Sequence, residues 1–368
     1  MTKSGTDVRT EVGRFAARWL EVVAGGDRGG FGAGDFVRSP AGLWLALGVV
    51  AAGARGETAR ELGELLGVSG SAAAGAVGEV SRVLGGTDAL GVATCVRSRV
   101  PVYREFREAL PGVAVGPLDP VELDGWVREA TEGMIEKLPV RIGDDVLLAV
   151  VNALALKARW ETPFPSWSTA DGEFVDAAGV VHEVPTMHRE IPLADAWAVG
   201  GTRVVELRTR GERGGAPARV RFVLGEEGAG PRDVLPAGWA GQAQRVPLDA
   251  EVVRIALPRL ELRMTDEVTD SLPAWGVHRA TREDADFSGM SPEPLAVSRV
   301  VQEAVLKVAE EGVEAAAVSV VLMEPGGAPP ALRRTEVVRF ERPFGVVVLD
   351  GAGELPLFIA WQEGAPKG

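Results

Sequence analysis

Cysteine is nearly absent from this chain. One residue, Cys95, stands in 368, so no disulfide can form within it. Its setting, Leu90-Gly91-Val92-Ala93-Thr94-Cys95-Val96, reads as a buried strand, where a thiol packs as a small apolar group. Histidine is scarce as well. His182, His188 and His278 are the whole supply, and His182 and His188 lie six apart with Pro185 between them, which is not metal-ligand spacing. There is no G-x-S-x-G nucleophile elbow. The Gly30-x-Gly32-x-Gly34 cluster lacks the helix pattern that a phosphate-binding loop needs, and reads as a turn. Positive charge is in deficit, with 39 Lys and Arg against 52 Asp and Glu and a net charge of −13. Such a surface repels phosphate backbones and anionic lipid. No apolar run approaches the roughly 20 residues needed to span a membrane. The polar start Met1–Asp7 is not followed by an apolar core of signal-peptide type. These absences argue against an enzyme, a metal or other cofactor, a nucleic-acid partner and a membrane partner. They lead to the expectation of a cytoplasmic protein.

What is present is ordinary for a globular chain: 46% apolar and 25% charged residues. Neither a repeat nor a convincing linker divides it, so residues 1–368 are expected to form one domain. Val8, Val12, Phe15, Trp19 and Val23 recur at helical spacing. Ser39-Pro40 opens an apolar helix with proline in the first turn. A further helix is expected from Gly56-Glu57-Thr58 to Gly67, and another over Glu122–Leu138, where Trp126, Ala130, Met134 and Leu138 stand four apart. The remainder reads as strands at Val146–Leu156, Arg203–Leu207, Arg219–Leu224, Val252–Leu262, Leu295–Val308 and Gly345–Leu349. Helices first and strands later indicate an α+β fold rather than parallel βαβ units.

Two strands each carry one large polar residue on an otherwise apolar or small face. Asn152 stands among Val146, Leu148, Val150, Leu154 and Leu156, and Gln302 among Ala296, Ser298, Val300, Ala304, Leu306 and Val308. A buried amide without a partner costs about 1–3 kcal/mol, so each needs one, either locally or in a shared network.

Beyond the second of these strands the chain alternates again. One face of Val313–Glu324 would carry Val313, Ala315, Ala317, Ser319, Val321 and Met323, none of them charged. The other would carry Glu314, Ala316, Val318, Val320, Leu322 and Glu324. The first proline, which would bar a central strand position, comes only at Pro325. Gly312 supplies the freedom to reverse direction. Left exposed, Val318-Ser319-Val320-Val321-Leu322-Met323 would be an aggregation hazard. A segment that is later buried as a strand accounts for that composition.

Glu310-Glu311-Gly312-Val313-Glu314-Ala315-Ala316-Ala317 resembles the hinge of a serpin reactive loop. Further segments resemble serpin motifs in the same order: Ser39-Pro40 with Ala46-Leu47 and Gly53-Ala54-Arg55-Gly56-Glu57-Thr58; Trp126-Val127 with Thr131, Gly133 and Ile135; Asn152-Ala153 with Lys157, Trp160 and Phe164; Ala285-Asp286-Phe287-Ser288-Gly289-Met290; and Phe340-Glu341-Arg342-Pro343-Phe344 with Leu357-Phe358. The resemblance implies the serpin fold: a large, mostly antiparallel central sheet, two smaller sheets, about nine helices and an exposed reactive loop at about 310–335. A member of prokaryotic type is expected. It also implies a monomeric suicide-substrate inhibitor of serine or cysteine endopeptidases. The protease would form a covalent acyl complex, then be trapped as the cleaved loop inserts into the central sheet. A non-inhibitory binding or scaffold protein on the same fold is the alternative. The family is mostly secreted, which leaves an extracellular location open.

By the same resemblance, Lys157, Trp160, Arg259 and Glu310 line the region where insertion begins, with Glu310 paired to Arg259. Ser39, Asn152 and Gln302 lie where the central strands part. Gln302 stands where the family usually has histidine, so an amide–amide contact with Asn152 is expected in its place. Gly42 stands where the family has a second serine. The segment before Phe340 is longer than typical, and it leaves the scissile bond open. Family spacing points to Gly326-Gly327, Met323 lies slightly early, and Leu332, Arg333 and Arg334 are chemically better substrates.

Overall fold

In the computed structural model, residues 7–23, 34–88, 90–131, 133–137, 143, 146–156, 158–211, 214–313 and 334–368 are described. The helical face read from the N-terminal segment is buried: Val8, Val12, Phe15 and Trp19 all turn inward from the helix Val8–Val23. The helix Pro40–Gly53 is apolar on every side and buried along nearly its whole length, as a helix enclosed on all faces must be. It runs beneath the strand Leu148–Leu156 and against the helix Gly70–Gly85. The next helix, Gly56–Leu66, stops at Gly67, whose φ of +79° suits glycine.

Four sheets form among the described residues. Seven strands pair in the spatial order Phe36–Arg38, Pro356–Gln362, Phe344–Leu349, Arg219–Leu224, Thr202–Arg208, Ala196–Val199 and Val246–Pro247. A four-stranded sheet follows the order Thr335–Arg339, Val252–Pro258, Val181–Ile191 and Ala170–Val175, with its first pair parallel. The other two sheets are halves of one structure. The first half is Val113–Pro117, Leu90–Ser98 and Leu148–Leu156. The second is Leu260–Glu267, Val301–Ala309, Gly312–Val313 and Ala158–Arg159. Leu148–Leu156 belongs to the first half and Ala158–Arg159, one residue further on, to the second, so the halves meet there. Seven α-helices and five short 3-10 segments complete the described fold. One helix, Pro120–Ala130, covers the outer face of the first half, where Leu123 and Val127 pack with Cys95, Val151 and Ala153.

Three elements differ from their expected bounds by more than two residues or by a break. The helix expected over Glu122–Leu138 is Pro120–Ala130. Asp119 caps its start, and at its end the Thr131 hydroxyl takes the Val127 carbonyl and receives the Ile135 N–H, turning the chain away before Gly133 at φ +83°. The strand expected over Val252–Leu262 is two strands, because Pro258 and Arg259 carry the chain out of the four-stranded sheet and into the central one. The strand expected over Leu295–Val308 begins only at Val301. Residues before it have no partner strand: the Val297 N–H bonds Ala280 and the Val300 N–H bonds the Thr269 hydroxyl.

Candidate functional site

Among the described residues, the two half-sheets are joined at one end only. The strand Val301–Ala309 reverses through Glu310-Glu311, and Gly312–Val313 returns antiparallel to it, with Ala309 opposite Gly312 and Val308 opposite Val313. On its other side the same dipeptide pairs with Ala158–Arg159. Glycine is required here by close approach: a Cβ on residue 312 would lie 2.1 Å from the Ala158 carbonyl oxygen. Val313 is fully buried, so the first inward residue of the hinge is already in the core.

The turn above this strand is clamped by four neighbours. The Trp160 indole N–H donates to the Ala309 carbonyl at 2.9 Å, and its backbone N–H to the Glu311 carbonyl at 2.8 Å. The ring is buried and meets Phe222 edge to face. The Phe164 N–H donates to the Glu310 carbonyl at 2.9 Å. The Glu310 carboxylate receives Arg259 Nε at 2.9 and 3.0 Å, Arg259 Nη2 at 2.5 Å and the Thr169 hydroxyl at 2.7 Å. Charge-assisted bonds of this kind are roughly twice as strong as neutral ones. Burial pushes the Glu310 carboxyl up, but the bonds from Arg259 and Thr169 outweigh it and hold the carboxyl below its usual range. Arg259 is itself fixed where the chain crosses between sheets, its N–H donating to the Pro185 carbonyl.

Below Val313 the strands Leu148–Leu156 and Val301–Ala309 run side by side, and no ladder joins them among the described residues. Ser39, Asn152 and Gln302 sit along this stretch. Ser39 caps the Pro40–Gly53 helix: its hydroxyl accepts the Gly42 N–H at 3.0 Å and donates to the Leu357 carbonyl at 2.6 Å. Gln302 grips the Ser39 backbone at two points, Oε1 accepting its N–H at 2.9 Å and Nε2 donating to its carbonyl at 2.8 Å. Asn152 instead donates from Nδ2 to the hydroxyl of Thr94, its cross-strand partner, at 2.8 Å. The expected amide–amide contact is therefore corrected. Each amide finds a nearer partner, and Ser39 occupies the donor and acceptor of Gln302. Gly42 makes room for this arrangement, since a Cβ there would stand 2.5 Å from Asn152 Oδ1. At the lower end a cavity of about 50 Å³ opens between Leu47, Val50, Leu148, Val150, Met290 and Val300.

The structure thus brings Trp160, Arg259 and Glu310 together at the closed end, and places Ser39 with Gln302 and Asn152 with Thr94 at the open end. Lys157, Glu314, Ala315, Ala316, Ala317, Met323, Gly326, Gly327, Leu332 and Arg333 lie outside the described residues. Arg334 is described. Its carbonyl receives the Glu251 and Val252 N–H groups and its guanidinium pairs with Asp249 at 2.7 Å, just before the strand Thr335–Arg339 begins. Sequence reasoning named Phe164 without its bond to Glu310, and missed Thr169 and Thr94. The first two reach Glu310 only through the path of the 160–169 turn, and the third depends on strand register.

Among the described residues, then, the central sheet is split along one seam, with Gly312–Val313 seated at its upper end. A family model described as Serpin (serine protease inhibitor) matches residues 119–361, and the chain belongs to the serpin family. Alpha-1-antiproteinase 2 of Equus caballus is 30% identical over 250 residues, covering 65% of this chain and 55% of that protein. Serpin A3-7 of Bos taurus is 31% identical over 229 residues, covering 60% and 52%. The chain spans about half the length of these curated relatives. They are mammalian and lend no support to a prokaryotic type. Serpin48 of the insect Tenebrio molitor superposes with a TM-score of 0.77 at 24% identity, covering 97% of this chain and 98% of its own. Human thyroxine-binding globulin superposes at 0.76 and 20% identity, covering 98% of each. Those two likenesses are of fold alone.

Proposed function

We propose that this serpin is a suicide-substrate inhibitor of a serine or cysteine endopeptidase and acts as a monomer. One observation carries the reading. Gly312–Val313 is seated between Ala158–Arg159 and Val301–Ala309, while the same seam has no ladder below it. A strand continuing from Val313 would find backbone groups on both sides. Its inward residues Ala315, Ala317, Ser319, Val321 and Met323 are small or apolar. Each backbone bond formed contributes about 0.5–1.5 kcal/mol net, and each buried valine or methionine about 1.5–3 kcal/mol. Together these can drive insertion once a protease opens the loop. The chain supplies no catalytic group. The protease acylates itself on the loop and is carried with it before water can release it.

Incubation with trypsin-, elastase- and subtilisin-type proteases tests this. The expected result is an SDS-resistant complex with at least one of them, and a cleaved chain more heat-stable than the intact one. Cleavage by all three with neither outcome would sink the reading in favour of a binding or scaffold protein. Mass spectrometry of the released C-terminal fragment identifies the bond.

A further inference from the structure

Eight of the nine tryptophans are buried or half-buried, and Trp167 alone is 73% exposed. Solvent exposure gives it no core packing to contribute. Its backbone is nonetheless held tightly. It sits in the short 3-10 segment Ser166–Ser168, which follows Pro163 and Pro165. On the C-terminal side the Ser168 hydroxyl lies within bonding distance of the Pro165 and His188 carbonyls, at 2.7 and 2.6 Å, with one proton to donate to either, and His188 Nδ1 lies 3.0 Å from the Ser168 carbonyl. On both sides the segment is tied to the hinge turn, through the Phe164 N–H to the Glu310 carbonyl and the Thr169 hydroxyl to the Glu310 carboxylate. A large exposed indole is therefore carried on an ordered backbone segment tied to the Glu310 turn, beside the end of the seated strand Gly312–Val313. Tryptophan is strongly enriched among residues that dominate protein interfaces, and a pre-ordered backbone lowers the ordering cost of docking.

The geometry points to Trp167 as a specificity-determining contact for the protease that cuts the loop, touching an apolar patch outside the protease's active-site cleft. This assignment rests on the proposed inhibitory function, in that a protease must come to the loop. A protease engaged on the loop approaches this end of the molecule, and Trp167 is the one exposed aromatic tied to the Glu310 turn. Such a contact would set which proteases form the encounter complex quickly. It would leave the later partition between trapping and release unchanged, because Trp167 is an exposed residue of a 3-10 segment outside the strands of the seam.

The test uses trypsin-, elastase- and subtilisin-type proteases whose active-site serine is replaced by alanine, so that binding is read without cleavage. Affinity is measured for the wild-type chain, Trp167→Ala, Trp167→Phe and, as a remote exposed control, Val121→Ala. With a protease whose active form cuts the loop, Trp167→Ala should weaken binding about tenfold or more. Trp167→Phe should recover most of that loss and Val121→Ala should leave binding unchanged, all at an unaltered melting temperature. Equal affinity for Trp167→Ala and wild type overturns the assignment. So does a loss that Phe does not rescue and that accompanies a lower melting temperature, and so does failure of every inactive protease to bind. The two readings fail separately. SDS-resistant complexes together with unchanged affinity remove only the Trp167 contact, whereas Trp167-dependent affinity without any such complex removes only the inhibitory reading.

Discussion

The two ends of the seam are held by different kinds of bond. At the upper end, backbone ladders flank Gly312–Val313 on both sides, and a buried carboxylate with three charge-assisted contacts from Arg259 locks the turn above it. At the lower end, the strands Leu148–Leu156 and Val301–Ala309 are neighbours without a ladder, and their polar side chains bond elsewhere: Asn152 to Thr94, Gln302 to Ser39. The difference gives insertion a direction. A strand starting at Val313 already has its first pairings, and extending it downward separates strands that no backbone bond holds together. The upper end is built to keep the hinge in place, and the lower end is built so that parting leaves no amide unsatisfied.

Breaking the upper end should have the largest effect. An aspartate at 313 would place a carboxylate where the side chain is sealed from water. An unpaired buried charge costs about 3 kcal/mol or more, which rivals the whole pairing of a two-residue strand. The strand should leave the sheet. In Val313→Asp the amides of Gly312 and Val313 should exchange with solvent about 100-fold faster than in wild type, at about 1.4 kcal/mol per tenfold, and proteases should cleave the loop with little trapping. Wild-type protection in this variant would show that the seated strand does not hold the upper end.

Glu310→Gln should have the next largest effect. It keeps the shape and removes the charge, and hydrogen bonds to charged groups are worth about 1.5–3 kcal/mol. Amide exchange at Gly312 and Val313 should rise about tenfold. The sign of the pH dependence follows from the depressed Glu310 carboxyl. Its stabilisation is complete above the ordinary glutamate value of about 4.3 and drains as pH falls below that through the lower native value. Acidification should therefore loosen the hinge in wild type and not in Glu310→Gln. Parallel curves for the two proteins would assign the acid response to another group.

Much of this comparison could be read from the chain. The alternation of 313–324 and the glycine before it are local patterns, and local patterns survive folding. The lone polar members Asn152 and Gln302 marked the lower seam for the same reason. Their partners could not be read. Whether Gln302 meets Asn152 or Ser39 depends on which helix cap slides beneath the strand, and Thr94 depends on register between segments nearly sixty residues apart. The breaks at Pro258-Arg259 and at Val301 are likewise topological. Apolar alternation runs straight through both, and only the lack of a partner strand, or the change of sheet, ends the element.

At the lower end, Gln302→Ala would remove the acceptor of the Ser39 N–H and one of the two donors to its carbonyl, the other being the Leu43 N–H, a cost of about 1–3 kcal/mol. The cap at Ser39 should fray, with the Ser39 amide exchanging several-fold to tenfold faster and the Gly312 and Val313 amides unchanged. A matching rise at the hinge would show that the two ends are coupled and that the comparison between them is drawn too sharply.

The smallest effect is read at Cys95, opposite Val151 in the half-sheet and beneath the helix Pro120–Ala130. The thiol is sealed, and burial pushes it up to about 11. Both facts suppress the thiolate. At pH 8 an aromatic disulfide reagent should leave the native chain unmodified over an hour and label it fully in denaturant. Labelling of the native chain at the denatured rate would show that the covering helix does not seal this face. After loop cleavage the reagent becomes a probe of the lower seam. A strand entering beside Leu148–Leu156 must push that strand and its partner sideways under the helix, and the apolar contacts of Leu123 and Val127 with Cys95 and Val151 must slide or part. A several-fold rise in labelling on cleavage would place the yielding contact between sheet and helix. An unchanged rate would place it between the two half-sheets, with the helix travelling as part of the first.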